Sequence, residues 1–278
     1  MAWQMLYQPL SPAQSGSPKK MINQVFRYRD LLYMLTWREI RIRYKQSVMG
    51  FLWAMLMPLM IVVGGIVVRE ALAVSAGKGI ALVDVMAISV KGLYWAFFAG
   101  ALRFATLSLV ANSSLVTKIY FPREILPLSS VLAALFDFAV AAGFLAILTL
   151  FFPSLLSLQL LWTPVIFLVL FMITLGISLL LACANLFFRD VKYLVEVIIT
   201  FGVLFTPVFY SAHALGKWAP LILVNPVSAV LESLNDVIVG RHAPDMFWLG
   251  CAAVFGVLGT FISWKIFQKA EPSFAQEI

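Results

Sequence analysis

The chain has 278 residues, of which 62% are hydrophobic and 12% charged, with a mean hydropathy of +0.96 and a net charge of +7. A soluble domain carries about 45–50% apolar and about 25% charged residues, so this composition excludes a water-soluble globule and, equally, a disordered chain. Two cysteines exclude a disulfide framework. What remains is an all-α integral membrane protein, in which about 20 apolar residues at 1.5 Å each cross about 30 Å of hydrocarbon.

Residues 1–21 read as a flexible tail, rich in Pro, Ser and Gln, without the apolar core of a cleavable signal. Residues 22–46 are too charged to cross but are periodic. Tyr33, Trp37, Ile40 and Tyr44 share one helical face, and Arg38, Arg41 and Lys45 form a basic stripe beside it. The pattern predicts an amphipathic helix lying in the membrane interface, with rings at headgroup depth and cations toward phosphate. Such a helix can orient the first span, or it can collect an anionic headgroup or a partner.

Residues 47–270 hold six predicted spans, over about 51–68, 87–111, 125–152, 164–188, 191–210 and 246–264. A kink in the fifth is expected at Pro207, where a backbone donor is lost. Asp137 does not forbid the third: Asp at a helix centre costs about 2.5–3.5 kcal/mol, while each Leu, Ile, Phe or Val returns about 0.3–0.6. More than a dozen such residues surround it. Six crossings put both termini on one side. Eight cations precede the first span, and Lys118, Arg123, Arg189, Lys192, Lys265 and Lys269 fall on the same side, fourteen of the twenty Lys and Arg. That bias places both termini in the cytoplasm and makes residues 271–278 a second cytoplasmic tail. The basic balance reads as topology and affinity for anionic lipid, and no nucleic-acid-binding module accompanies it.

Intramembrane charges seek partners. Arg103 lies about 12 Å and Asp137 about 18 Å from the inner end of their spans, so the two are expected to form a buried pair. Lys91, near the outer end, is expected to reach out to the interface.

Two short segments are neither spans nor ordinary loops. In residues 112–124, Asn112 or Ser113 can cap a helix that Pro122 ends near Phe121. The result is a compact cytoplasmic knob with Leu115, Ile119 and Phe121 beside Lys118 and Arg123, either a connector or a plug for a partner's groove. Between the fifth and sixth spans, Asn225-Pro226 opens a helix that Gly240 closes. At about 21 Å it is too short to cross. Val227, Val230, Leu231, Leu234 and Ile238 repeat at helical spacing, whereas Glu232, Asn235 and Asp236 are polar. A re-entrant or interfacial outer helix follows, serving as a cap or a gate.

Catalytic chemistry is missing. No Gly-x-x-x-x-Gly-Lys-Ser/Thr loop occurs, and His213 and His242 have no Cys or carboxylate at metal spacing. Cys183 and Cys251 read as packing residues. No catalytic, cofactor-binding or metal residue is assigned, and the chain reads as non-enzymatic.

The run from Leu35 to Ala54 (LTWREIRIRYKQSVMGFLWA), that from Lys118 to Pro127 (KIYFPREILP), Phe188-Arg189-Asp190 and Asn225-Pro226 together resemble the permease subunit of polysaccharide ABC exporters. The resemblance covers about residues 22–269 and is closest to the Wzm-like O-antigen and TagG-like teichoic-acid permeases. It implies a homodimer joined to two separate ATP-binding cassette subunits, which would hold ATP and Mg, in a bacterial cytoplasmic membrane. Ser113, Ser114, Leu115, Lys118, Ile119, Tyr120 and Phe121 would form the coupling helix seated in the ATPase. Tyr33, Trp37, Arg38, Arg41, Tyr44 and Lys45 would belong to a gate helix at the cytoplasmic entrance, where a lipid-pyrophosphate-linked glycan arrives. The first and fifth spans would line the channel, with Phe51, Trp53, Phe201, Phe205 and Tyr210 as wall residues for sugar rings. Two other readings share parts of this pattern: an efflux permease for a drug, ion or small lipid, and a membrane scaffold that transports nothing. A copurifying ATPase separates the scaffold from both transporters, and the glycan separates the transporters from each other.

Overall fold

The computed structural model describes residues 27–45, 82–119, 121–151 and 157–277, with isolated helical positions between 56 and 70. The expected tail over residues 1–21, most of the first span, Phe51, Trp53 and Tyr120 lie outside the described residues. Those described form α1 (Arg29–Tyr44), α2 (Leu82–Ala111), α3 (Ser113–Lys118), α4 (Ile125–Leu150), α5 (Thr163–Phe187), α6 (Val191–Phe205), α7 (Ala219–Leu223), α8 (Pro226–Asn235), α9 (Met246–Ala270) and α10 (Phe274–Glu277), with no strand among them. Of these, α2, α4, α5 and α9 are long and apolar enough to cross a bilayer.

Local chemistry sets the boundaries. Asn225 Oδ1 accepts from Val227 N at 3.0 Å and Pro226 occupies the first turn of α8, while Asp245 Oδ1 accepts from Phe247 N at 2.9 Å to open α9. The fifth expected span is cut short. Thr206, the residue before Pro207, is extended at φ −109° and ψ 143°, so α6 stops after 15 residues where a kink was expected.

The bundle is tightest where α5 meets α9. A Cβ on Gly176 would stand 2.9 Å from the backbone N of Thr260, and Thr260 Oγ1 donates to Met172 O at 2.7 Å. Small residues let two helices approach this closely without a gap. α2 packs on α4 and α5, and α1 runs along α4. One apolar core gathers Phe97, Phe98, Ile166, Leu170, Val230 and Leu234. A second gathers Leu109, Val116, Phe121, Ile125, Leu186, Trp264 and Phe267, with Leu35 of α1. This second core marks the end of the bundle that carries α3; the opposite end carries α8.

Candidate functional site

At the α3 end the knob has two faces. Val116 is buried and Leu115 half-buried, while Ser114, Thr117, Lys118 and Ile119 are exposed. Ser113 is half-buried, and Phe121 sits wholly in the core, so it fastens the knob to the bundle instead of joining its outer face. The expected Asn112 cap is absent. Asn112 does stand at the N-cap, but its Oδ1 accepts from Arg38 of α1 and its Nδ2 donates to Ser108 O at 2.8 Å. The side chain is spent joining α1 to the start of α3.

The sequence face of α1 divides in space. Tyr33 and Trp37 are exposed, with the Arg41 guanidinium 5.6 Å from the Trp37 ring, whereas Ile40 is buried with Leu35. Lys45 closes the helix, its N–H bonding Arg41 O at 2.8 Å. At this last turn Tyr44 donates to Asp137 Oδ1 at 2.6 Å, and Arg43, which the periodicity did not single out, donates to Asp137 Oδ2 at 2.6 Å. Burial, then its bond to Asp137, pushes the Tyr44 phenol above its ordinary pKa. The Arg43 guanidinium also lies 3.8 Å from the Phe104 ring centroid.

The expected Arg103–Asp137 pair does not form. Arg43 and Tyr44 supply the partners of Asp137, and Arg103 turns to α6, where Nε and Nη2 meet the two Glu196 oxygens at 2.6 and 2.7 Å. Both side chains keep over two fifths of their surface exposed, 43% and 47%. Beside this pair a cavity of about 750 Å³ opens between α1, α2, α4 and α6, lined by Arg43, Trp95, Arg103, Asp137, Phe138 and Val203 among others. Trp95, Phe97, Phe104 and Phe138 make much of its wall aromatic, and Phe138 is backed by Phe167, with centroids 4.3 Å apart. Phe201 and Phe205 stand outside this cavity, on the exposed face of α6 with Leu194 and Ile198.

The α8 end holds a polar layer that linear spacing concealed. Lys91 is fully buried, where an interfacial reach was expected: its Nζ donates to Tyr210 O at 2.8 Å and to Asn235 Oδ1 at 3.4 Å. Glu232 accepts from Ser211 Oγ and, at 2.9 Å, from Ala212 N. His213 Nε2 lies 3.8 Å from Glu232 Oε1 and 3.5 Å from Asp236 Oδ1. Burial lifts the Asp236 carboxyl above the usual carboxylate range, with His213 pulling it down and Glu232 pushing it up. Among the described residues this is the one grouping of three side chains able to ligate a cation, their donor atoms lying within 4.8 Å of one another. The polar side of α8 therefore faces protein, and Glu232 holds the Ser211–Ala212 turn over the bundle.

A family model described as ABC-2 type transporter matches residues 30–239. Two proteins of Klebsiella pneumoniae named O-antigen export system permease protein RfbA are 25% and 26% identical over 250 residues, 89% of this chain and 94% of theirs. A protein of the same name from Myxococcus xanthus is 24% identical over 267 residues, 93% of this chain and 99% of its own.

Proposed function

Because the chain belongs to the ABC-2 type transporter family, we propose that it is the permease of an ATP-driven exporter that moves a lipid-linked polysaccharide across a bacterial cytoplasmic membrane. The observation that carries this reading is the Arg103–Glu196 pair. It lies about 12 Å before the end of α2, inside an apolar helix, and is half exposed. Hydrocarbon cannot solvate it, so that face meets water, a polar cargo, the segment over 51–68 or a second copy. The aromatic cavity beside it suits sugar rings, whose C–H faces are apolar and whose hydroxyls stay wet. The O-antigen export names of the relatives supply the class of cargo.

In this reading six spans, counting those over 51–68 and 191–210, leave both termini in the cytoplasm, the side rich in Lys and Arg. Two copies form a homodimer and meet two ATP-binding subunits, which hold ATP and Mg. The exposed Ser114, Thr117, Lys118 and Ile119 of the α3 knob seat in those subunits. α1 flanks the entrance, where Arg38, Arg41 and Lys45 attract the pyrophosphate of the lipid carrier. Phe201, Phe205 and Tyr210, with Phe51 and Trp53, border the path between the copies.

Coexpression with the ATP-binding subunit, followed by reconstitution in vesicles loaded with a lipid-linked glycan, tests the proposal. ATP-dependent appearance of glycan on the far side is expected, with loss of subunit copurification in Ile119→Asp. A complex that hydrolyses ATP in response to a small lipid or drug and ignores the glycan would overturn it.

A further inference from the structure

The end of the chain folds back onto α3. The turn Glu271–Ser273, with Pro272 in its first residues, redirects the chain after α9, and α10 then lays Phe274 between Phe187 and Phe267. The rings meet edge to face, with centroids 6.1 Å and 5.1 Å away. Phe274 has no exposed surface and shares its core with Val116 and Phe121.

Arg123 completes the tie. Its Nη1 donates to Glu271 O at 2.6 Å, its Nη2 to Val116 O at 3.3 Å, and its backbone N to Glu271 Oε1 at 3.2 Å. One guanidinium thus grips the carboxyl-terminal turn and a carbonyl of α3 together. That carbonyl belongs to the last turn of a six-residue helix, where carbonyls run out of donors within the helix. So short a helix has no stability of its own. Its start is held by the Arg38–Asn112 bond, and its end by Arg123 and the Phe274 socket.

We infer that the segment Glu271–Glu277 is a strut of the energy-coupling apparatus, with Arg123 as its positioning residue. A knob hung on free connectors would tilt when pushed. Fixed at both ends, α3 passes its displacement to α9, and the close contact at Gly176 and Thr260 carries it on to α5. The inference rests on the reading of α3 as the contact with the ATP-binding subunit.

The test is glycan exported per ATP hydrolysed by the reconstituted complex of permease and ATP-binding subunits. Phe274→Ala empties a socket buried wholly within this chain, and Arg123→Lys keeps the charge without the fork that reaches two carbonyls. Both complexes are expected to keep their ATP-binding subunits and to go on hydrolysing ATP, while export per ATP falls about fivefold or more, the scale of a modest coupling between sites. Phe274→Leu, which refills most of the socket, restores most of the ratio. Hydrogen exchange in α3 quickens in the two damaging variants. If Phe274→Ala fails to assemble, Arg123→Lys decides the matter by the same ratio.

An unchanged ratio with faster exchange in α3 overturns the strut, because the helix is then loosened without consequence. Ile119→Asp separates the docking of α3 from the action of the strut. If it leaves subunit binding and export intact, the reading of α3 falls and the strut falls with it. If it abolishes both while the strut variants keep the wild-type ratio, the strut alone is wrong.

Discussion

Arg103 and Glu196 meet fork to carboxylate across α2 and α6, through hydrogen bonds of 2.6 and 2.7 Å. Such a pair at a water-filled surface is worth about 0.2–1 kcal/mol, and more where water is scarce. A double-mutant cycle on the purified protein with Arg103→Ala and Glu196→Ala should therefore return a coupling of about 1 kcal/mol. The same cycle with Arg103→Ala and Asp137→Ala should be additive within about 0.3–0.5 kcal/mol. Thermal unfolding reads both, and a larger coupling to Asp137 would refute the assignment.

Asp137 anchors the last turn of α1, and the Arg43 side chain it binds is only 11% exposed. Removing one partner of so enclosed a pair costs about 3 kcal/mol, since the remaining cation is left uncompensated. Asp137→Ala should release the end of α1, seen as faster trypsin cleavage after Arg41 and Arg43. Tyr44→Phe leaves the ion pair in place and should cost about 1 kcal/mol, the worth of one hydrogen bond. Equal cleavage rates in the two variants would contradict this division of labour.

Much of this was legible because it is local. Asn225-Pro226 capped α8 as its residue types require, and the apolar stretches over α2, α4, α5 and α9 are long enough to cross a bilayer as helices. What escaped reading lies in pairings between distant elements. Glu196 is a single acid in an apolar run, and nothing in its neighbours says that it faces Arg103. Arg43 fell off the aromatic face that periodicity selected, yet the turn of α1 against α4 brings it to Asp137. Lys91 was placed by depth along its helix, and depth is silent about which face α8 covers. Phe274 stood in a stretch too short and polar to suggest burial. Its socket is built by Phe187 and Phe267, the first of them 87 positions earlier in the chain.

Gly176 is a steric requirement of the α5–α9 crossing. A methyl group there meets the backbone of Thr260 at 2.9 Å, and backbone does not swing aside as a side chain would. Gly176→Ala should destabilise by about 1–3 kcal/mol, the range for overpacking a tight core. Gly143 on α4 offers the contrast, because nothing lies within 4 Å of its would-be Cβ. Gly143→Ala should leave the melting temperature unchanged or raise it, as Ala is the better helix former by about 0.8–1 kcal/mol. Equal losses at the two glycines would show that helix propensity, and not the crossing, governs both.

At the α8 end two acids four residues apart carry different loads. Glu232 is buried and accepts from Ser211 and Ala212, so Glu232→Ala strands both donors and should cost about 2–3 kcal/mol. Asp236 is held above the usual carboxylate pKa, chiefly by burial. A raised folded-state pKa means that the native protein binds this proton more tightly than the unfolded chain does. The associated stability is present below the ordinary carboxylate pKa of about 3.9 and is lost as pH rises through the folded value. Asp236→Asn removes that dependence. Melting temperatures of the wild type and Asp236→Asn, followed upward from about pH 4, should therefore shift in the variant's favour until Asp236 is ionised in the folded protein, and then run parallel. A gap that moves the other way over this window would mean that the His213 contact outweighs burial at Asp236.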